Sequence, residues 1–502
     1  MTQVIELICQ LPGMSDGDKK RSILTEIKNK LNSLNNDDLK LVGHGVSYNL
    51  LLADSFSNDS KTNELFCDVL HILFNTLEVG EVYEKYHEAI SKAVQLKDPS
   101  IKSLTMREFL RTTNDPNKVT EIQKDFCVIG AILKSLGNKD LKISQMAATI
   151  LKRIAHNATG LKILLTQFHN DLIQLMSKSS TVTCRVLDLM VDLSSASTEG
   201  FKACEDAGFL NRLVALISDN ETLSQLNALE LLTKLALSAE GLAYLERRHV
   251  LKHLAFKVAR AEQDPLTSLL VPGLIKFFGN VAQRNPNDIF SKYPVVINTL
   301  FGVINTHNLT ILPIALDTLG HIAKGAEGKY SLESLGEPML TALRNIGKTV
   351  VELPSNIKVR ALNCLGQIIR VQEEEQDNRI LSLTKSWFDL LDDNPLDLIV
   401  GFCKQPFPDI RRAGFEVLGA VASQTWGQEY IANAPGLVEF LLDRNVETFK
   451  ECKEAKHEVV KALSVASSDI FDFQTMQRLK VFVNQGPIYV ETTMDIDIEG
   501  AS

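Results

Sequence analysis

Residues 408–422, PDIRRAGFEVLGAVA, read as one helix with a single apolar stripe. The stripe consists of Ile410, Gly414, Phe415, Leu418, Val421 and Ala422. Steps of three and four residues separate these positions, which places them on one face of an α-helix. Pro408 is expected just before the helix and Asp409 in its first turn, where a negative charge is favourable. A helix of roughly 22 Å cannot bury such a stripe alone, so the rest of the chain must supply a partner surface.

The same stripe recurs in six other stretches: 143–155, 183–195, 223–236, 270–282, 311–323 and 358–369. A common register fits all seven copies, and it opens at Ala147, Val186, Ala228, Leu274, Ala315, Ala361 and Gly414. Small or apolar residues follow four, seven and eight positions later. The fourth step is the centre of each stripe. We therefore expect Leu232, Phe278, Leu319, Leu365 and Leu418 to be buried.

A second marker follows most copies, a glycine thirteen or fourteen residues after the opening position: Gly160, Gly200, Gly241, Gly328 and Gly427. We interpret each as the end of a helix-terminal loop that needs a permissive backbone. Another apolar helix comes next, so the period is roughly forty to fifty residues, as in armadillo and HEAT repeats. The predicted fold is all-α, an armadillo/HEAT-like helical-repeat solenoid shaped as a curved rod with a concave binding face. We expect one solenoid over residues 1–490, inter-helix loops over 35–63, and an unstructured acidic tail over 491–502.

Bulk properties exclude several classes of protein. The net charge is −9, which argues against a surface that coats nucleic acid. The eight cysteines include no C-x-x-C pair, which indicates a reducing compartment. There is no signal-peptide pattern and no apolar run long enough for a membrane span. The expected location is therefore the cytoplasm, and also the nucleus.

No catalytic, metal or cofactor motif stands out in the sequence. His87 and His457 each begin a His-Glu pair, but neither has a second histidine four residues later. No phosphate-binding glycine loop and no nucleophile elbow are present. We expect a protein that is not an enzyme and that needs no cofactor.

Polar residues stand two positions after each opening residue: Thr149, Asp188, Glu230, Lys276, Asp317, Asn363 and Glu416. In armadillo-type arrays this helix lines the inner wall, so the row should face a groove. Four of the seven are acidic, which favours a basic or mixed partner surface. We predict partner binding at Asp188, Glu230, Lys276, Asp317, Asn363 and Glu416. Simple solvation of a face outside the core is the other interpretation, and the sequence leaves it open.

Glycine also stands five positions after the last four opening residues, at Gly279, Gly320, Gly366 and Gly419. Each costs up to about 1 kcal/mol against alanine within a helix. Close packing of a neighbouring helix is the favoured reason, and approach of a partner to the backbone is the alternative.

Several stretches resemble one family in particular: DPLTSLLVPGLIKFFGNVA (264–282), TKSWFDLLDDNPLDLIVGFCKQPFPDIRRAGFEVLGAVASQTWGQEYIANAPGLVEFLLDR (384–444), EAKHEVVKAL (454–463) and LKVFVNQGPIYV (479–490). They are similar to the family of the 26S proteasome non-ATPase regulatory subunit 5. The resemblance is densest after residue 200 and weakest over residues 1–90. It implies a monomeric chaperone that assembles the base of the regulatory particle. Such a chaperone binds the C-terminal domain of a proteasomal ATPase, in a module with a second ATPase and a large non-ATPase subunit. It leaves when the base and the core particle join.

Two other kinds of helical-repeat protein remain as alternatives. A cargo adaptor of nuclear import would need repeated Trp and Asn along the inner helices, but Trp387 and Trp426 both lie outside the register. An armadillo-type nucleotide-exchange factor for a heat-shock ATPase, or a scaffold for another protein, is the closer rival.

Overall fold

The structure, a computed structural model, describes residues 2–14, 16–54, 56, 59–219, 221–261, 263–306, 308–467 and 469–488. These residues form helices and turns, and no β-strand occurs among them. The chain forms two compact units, residues 1–241 and residues 242–502. The predicted acidic tail, 491–502, lies outside the described residues.

The first unit begins with α1 (Thr2–Cys9), α2 (Gly17–Ser33), α3 (Asn36–His44), α4 (Tyr48–Asp54), α5 (Ser60–Phe74), α6 (Glu81–Lys85), α7 (His87–Ala93), α8 (Pro99–Thr112) and α9 (Pro116–Ile122). It continues with α10 (Phe126–Leu136), α11 (Leu141–Ile154), α12 (Ala158–Lys162), a π-helix (Ile163–Gln167), α13 (His169–Met176), α14 (Ser180–Ala196), α15 (Thr198–Asp206), α16 (Phe209–Ala215), a 3-10 helix (Leu216–Ser218) and α17 (Thr222–Leu235). The boundary between the units falls within α18 (Ala239–Arg247).

The second unit contains α19 (Val250–Arg260), α20 (Pro265–Ser268), α21 (Val271–Arg284), α22 (Pro286–Lys292), α23 (Pro294–Thr306), α24 (Leu312–Ile322), α25 (Ala326–Glu333), α26 (Glu337–Thr349) and α27 (Ser355–Ile369). It ends with a 3-10 helix (Glu373–Glu375), α28 (Asn378–Asp389), α29 (Pro395–Cys403), α30 (Pro408–Ala422), α31 (Thr425–Asn433), α32 (Leu437–Leu442), α33 (Lys450–Leu463) and α34 (Phe473–Gln485).

In each unit one helix of every repeat packs on the corresponding helix of the next repeat. We call these the ladder helices: α2, α5, α8, α11, α14 and α17 in the first unit, and α21, α24, α27, α30 and α33 in the second. The other helices pack against ladder helices or against one another. The prediction of an all-α helical-repeat fold is confirmed.

The seven predicted stripes coincide with the ladder helices α11, α14, α17, α21, α24, α27 and α30. Every residue of the common register in these helices is buried. The five central residues named above, Leu232 to Leu418, are at most 1% exposed. Helix α30 spans Pro408–Ala422 as predicted, although Phe407 is the N-cap and Pro408 is the first residue of the helix. Proline is well suited to that position because its missing N–H has no partner there anyway.

The interpretation of the phased glycines was wrong. Gly160, Gly200, Gly241, Gly328 and Gly427 all lie at the third residue of the following helix, and none has a positive φ. A Cβ on any of them would overlap a carbonyl oxygen in the last turn of the preceding ladder helix. These glycines therefore allow close approach of two helices. The left-handed backbone that favours glycine occurs instead at the start of the next helix in the repeat. Gly208 and Gly436 are the N-caps there, with φ of 82° and 73°.

The prediction of inter-helix loops over residues 35–63 was also wrong. Helices α3 and α4 lie within this range, and α5 begins at Ser60. The polar residues that suggested loops are helix caps: the side chain of Asn35 accepts a hydrogen bond from the N–H of Asp38, and Asp59 caps α5. Asn and Asp favour both N-caps and turns, which is why the two were confused.

No helix among the described residues is both long enough and apolar enough to cross a membrane.

Candidate partner-binding surface

The polar residues of the ladder helices lie on a face that we call the ladder face, formed by the positions two and six residues after each opening residue. Because the register residues point into the core, these positions point out of it. Thr149, Glu230, Lys276 and Asp317 are exposed, and Asp188, Asn363 and Glu416 are half-buried. All of the predicted partner-binding residues therefore lie at least partly at the surface, in two separate units.

In the first unit, Asp188 belongs to a network of ion pairs that joins three ladder helices. Lys234 Nζ on α17 lies 2.6 Å from Asp188 Oδ1 and 2.6 Å from Asp192 Oδ1 on α14. Lys152 on α11 lies 3.5 Å from the other oxygen of Asp192. Burial lowers the pKa of Lys234, but hydrogen bonds to Asp188 and Asp192 outweigh it and raise the pKa overall. The charge of the Asp188 carboxylate is thus partly neutralised by Lys234 on the next ladder helix.

In the second unit, Asp317 on α24 forms an ion pair with Arg360 on α27. Burial raises the pKa of Asp317, and the Arg360 guanidinium opposes that rise. Asp317 and Asn363 line a cavity of about 210 Å³ between these two helices, together with His321. Within the described residues, the buried Oδ1 of Asn363 has no hydrogen-bond partner.

Glu416 lies in a much larger depression, which we call the C-terminal groove. Its volume is about 1000 Å³, and it lies between the segment that follows α27, residues 370–376, and the ladder helices α30 and α33. Its charged lining comprises the carboxylates Glu373, Glu416, Glu451, Glu454 and Glu458 and the cations Arg370, Arg412 and Lys461. Five carboxylates against three cations leave the groove with a net negative charge.

The ion pairs of the C-terminal groove are weak. Arg412 Nε lies 3.8 Å from Glu416 within α30. Within α33, Lys450 Nζ lies 3.8 Å from Glu454 and Lys461 Nζ lies 3.3 Å from Glu458. All three pairs are exposed, and exposed pairs contribute at most about 1 kcal/mol each. A partner could therefore replace them at little cost. The groove thus has the size and charge of a surface that binds a basic protein segment.

The sequence register missed α33, which supplies three of these carboxylates. The register continues there from Cys452, through Lys456 at the central step, to Val459 and Val460, and all four are buried. Because Lys456 occupies the central step, the sequence of α33 does not show an unbroken apolar stripe. Had the register been extended by spacing alone, Glu454 and Glu458 would have appeared two and six positions after Cys452.

Helix α8 was missed for a similar reason. Its buried register is Thr105, Phe109, Thr112 and Thr113, so threonine occupies three of the four core positions. Hydroxyl groups make such a stripe look polar in the sequence, although Thr105 and Thr113 satisfy theirs on backbone carbonyls of the same helix.

Metal chemistry gains no support in the described part of the chain, where no three His, Cys, Asp or Glu side chains are grouped so as to hold a metal ion. What the ladder face offers is charge and shape over several repeats, which are the means by which one protein recognises another.

Similarity to known proteins indicates the family of this chain. The family model described as "Proteasome non-ATPase 26S subunit" matches residues 13–502. The 26S proteasome non-ATPase regulatory subunit 5 of Homo sapiens is 31% identical over 88% of this chain and 89% of its own length. The protein of the same name from Bos taurus is also 31% identical with the same coverage.

Among solved structures, the crystal structure of Kap121p is similar to 96% of this chain, with 12% sequence identity and a TM-score of 0.47. The chain spans about half of that protein, 51% of its length. The family match covers the ladder helices of both units. The chain belongs to the family of the 26S proteasome non-ATPase regulatory subunit 5.

Proposed function

We propose that this protein is a non-enzymatic chaperone for assembly of the regulatory-particle base of the 26S proteasome. It binds the C-terminal domain of a proteasomal ATPase subunit and is released before the mature complex forms. The observation that supports this most is the C-terminal groove, an acidic depression of about 1000 Å³ formed by two consecutive ladder helices and the segment that follows α27. It occurs in a chain whose relatives are named as proteasome regulatory subunits.

The groove suits a partner that arrives in a folded state with a basic surface. Its carboxylates would steer association, and their effect should weaken as salt is added. The ATPase domain would contact several repeats at once, so most single contacts should matter modestly. The same module would contain a large non-ATPase subunit, and the chaperone itself would act as a monomer in the cytoplasm and the nucleus.

We expect the six predicted residues to contribute unequally to partner binding. Asp188 and Asp317 already pair with Lys234 and Arg360, so a partner gains less from them. Glu416 lies in the groove, and we add Glu454 and Glu458, which are exposed beside it. We place these three carboxylates at the centre of the binding surface. Lys276 and Asn363, which belong to the same unit, would contribute at its margins, and Glu230 remains a separate prediction on the first unit.

A nucleotide-exchange factor or a scaffold for another partner is the alternative function. Isothermal titration calorimetry of the full chain against the purified C-terminal domain of each proteasomal ATPase separates these possibilities from the proposal. We expect one or two of these domains to bind at micromolar concentration or below. In parallel, the chain should not accelerate nucleotide release from a heat-shock ATPase. Accelerated release, or no binding to any of the proteasomal domains, would reject the proposal.

A further inference from the structure

A basic segment stands out in a chain that is acidic overall. Residues 246–260, ERRHVLKHLAFKVAR, contain five Arg or Lys and a single Glu, whereas the whole chain has a net charge of −9. The segment covers the end of α18 and all of α19, and it lies in the second unit. Neither helix is a ladder helix.

The cations of α19 lie on its solvent side. The helix buries Val250, Leu251, Leu254, Ala255 and Val258, and α20, α21 and α23 pack against it. Lys252, His253 and Arg260 are exposed, as is Arg248 just before the helix. Phe256 lies on the same side with 57% of its surface exposed. We call Arg248, Lys252, His253, Phe256 and Arg260 the basic patch.

Neighbouring elements do little to neutralise the basic patch. Helix α23, which packs beside α19, has no charged residue in its sequence PVVINTLFGVINT. The carboxylate of Asp264, before α20, caps its own helix through the N–H of Leu266 and the hydroxyl of Thr267. In the described part of the chain, Arg248, Lys252 and Arg260 form no ion pair. Their charges are therefore available to a partner.

The aromatic ring adds a hydrophobic contact to this charge. The Arg260 guanidinium carbon lies 5.2 Å from the centre of the Phe256 ring, at cation–π distance. This contact holds the ring beside the cations. Arginine and aromatic residues together are the side chains that most often dominate protein–protein binding energy.

The chemistry favours an acidic protein segment over nucleic acid. Helix α19 is about 16 Å long, and an extended peptide of about five residues spans that length. Two or three carboxylates in such a segment would match Arg248, Lys252 and Arg260. Nucleic acid would extend its charge beyond this helix and meet the negative field of the rest of the chain, whose pI is about 5.7.

We infer that the basic patch is a second docking surface, which binds an acidic segment of a protein partner and accommodates an apolar side chain of that segment on Phe256. This surface is opposite in sign to the C-terminal groove and is carried by different helices. It does not depend on which protein occupies the groove.

Fluorescence anisotropy with a labelled peptide that alternates glutamate and leucine tests the inference on the full-length protein. A peptide with glutamine in place of glutamate is the control for charge. The patch variant is Arg248→Glu/Lys252→Glu/Arg260→Glu. The matched variant is Lys202→Glu/Lys348→Glu/Lys480→Glu, which changes the net charge equally at three exposed lysines elsewhere.

We expect the glutamate peptide to bind the wild type, and the patch variant to lose at least about tenfold in affinity. The matched variant should stay within about threefold. Phe256→Gln, with all cations kept, should weaken binding about threefold or more. Circular dichroism shows whether each variant retains its helices. If only the patch variant loses them, single reversals at Lys252 and Arg260 replace it, each with an expected loss of about threefold.

Three results would overturn the inference: no binding of the glutamate peptide to the wild type, equal loss in the patch and matched variants, or equal binding of the glutamine peptide. A single-stranded RNA oligomer that displaces the peptide at lower concentration than the unlabelled peptide itself would also overturn it, in favour of nucleic acid.

Discussion

At the scale of single residues, the four glycines that stand five positions after an opening residue differ in how closely the next ladder helix packs on them. A Cβ on Gly279 of α21 would overlap the Cγ2 methyl of Thr318 on α24. On Gly320 it would lie 3.1 Å from the Cα of Cys364. On Gly366 and Gly419 the nearest atoms would be 3.8 Å and 3.7 Å away, an ordinary contact distance. Close packing of the next ladder helix therefore explains Gly279 and Gly320, and it does not explain Gly366 and Gly419.

This difference predicts opposite effects of the same substitution. Gly366→Ala and Gly419→Ala should each raise the free energy of unfolding by up to about 1 kcal/mol, because alanine favours the helix. Gly279→Ala should lower it by about 1–3 kcal/mol, because the new methyl overpacks the contact with Thr318. Urea denaturation measures all three. The double variant Gly279→Ala/Thr318→Ser should recover part of the loss, and destabilisation by all three single variants would contradict this explanation.

The central stripe positions should be the most sensitive core sites. Phe278 is 1% exposed and contacts the ring of Phe277 edge-on, with 5.2 Å between ring centres. Phe278→Ala should cost about 3–5 kcal/mol, through lost burial and the cavity left behind. Phe473→Ala, at a ring that is 80% exposed, serves as the control in the same denaturation experiment. A loss below about 1 kcal/mol at Phe278 would mean that its stripe does not form the core.

Lys329 gives stability a pH dependence with a definite sign. Its ammonium group is buried and donates hydrogen bonds to the carbonyl oxygens of Ala323 and, at 3.0 Å, Gln367. Burial lowers its pKa from 10.5 to about 8. Between these values the unfolded chain binds more protons than the folded one, so this group's contribution to stability grows as pH rises and is lost as pH falls through about 8.

The variant Lys329→Met isolates that contribution from other titrating groups. The stability of the wild type relative to the variant should increase between pH 7.5 and pH 10, on the order of 2 kcal/mol. Urea denaturation of both proteins at a series of pH values measures the difference. A difference that stays flat or decreases over this range would show that Lys329 is not buried as a lowered-pKa amine.

At the scale of helices, the sequence predicted elements where their core residues are uniformly apolar and missed them where a polar residue is buried. Helix α30 was predicted to within one residue at its start because its stripe is unbroken. Helix α33 was missed because Lys456 stands at the central step, where it donates a hydrogen bond to the carbonyl of Asp443. Burial lowers the pKa of that lysine to about 8. The hydrogen bond from the Lys456 amine to the Asp443 carbonyl is a tertiary contact, and it becomes visible only in the structure. That contact explains how a lysine can occupy a core position.

A buried ion pair connects α30 to the loop that precedes α33. Arg411 on α30 donates two hydrogen bonds to Glu447, at 2.9 and 2.8 Å, and the Glu447 side chain is almost fully buried. Glu447 lies in the loop before α33 and also accepts a hydrogen bond from the N–H of Thr448. This pair helps to fix the helix that supplies three of the five carboxylates of the C-terminal groove.

Arg411→Ala should therefore cost about 3–5 kcal/mol, because it leaves the Glu447 carboxylate buried without its partner. The double variant Arg411→Met/Glu447→Gln should recover much of this loss, since no charge remains unpaired. Arg412→Ala, at the exposed neighbour, should cost less than about 1 kcal/mol. Thermal denaturation followed by circular dichroism compares the three. Equal losses at Arg411 and Arg412 would contradict the importance of the buried pair.

At the scale of the whole molecule, the repeat period was sufficient to predict the fold class, and quoted motifs such as QPFP were sufficient to predict the family. The binding surface was predicted only in part. Spacing placed Asp188 and Asp317 at the surface, but it could not show that Lys234 and Arg360 come from the next ladder helix to pair with them. Nor could it show the C-terminal groove, because that depends on how the segment after α27 packs beside α30 and α33.

The central claim is that the C-terminal groove binds the C-terminal domain of a proteasomal ATPase. The most direct test is calorimetric titration of that domain into the variant Glu416→Lys/Glu454→Lys/Glu458→Lys, beside wild type and Glu199→Lys/Glu240→Lys/Glu327→Lys, whose three glutamates are exposed outside the groove. The proposal predicts a loss of at least about tenfold in affinity for the groove variant, with its helical signal retained, and less than about threefold for the other. Wild-type affinity in the groove variant would contradict the claim.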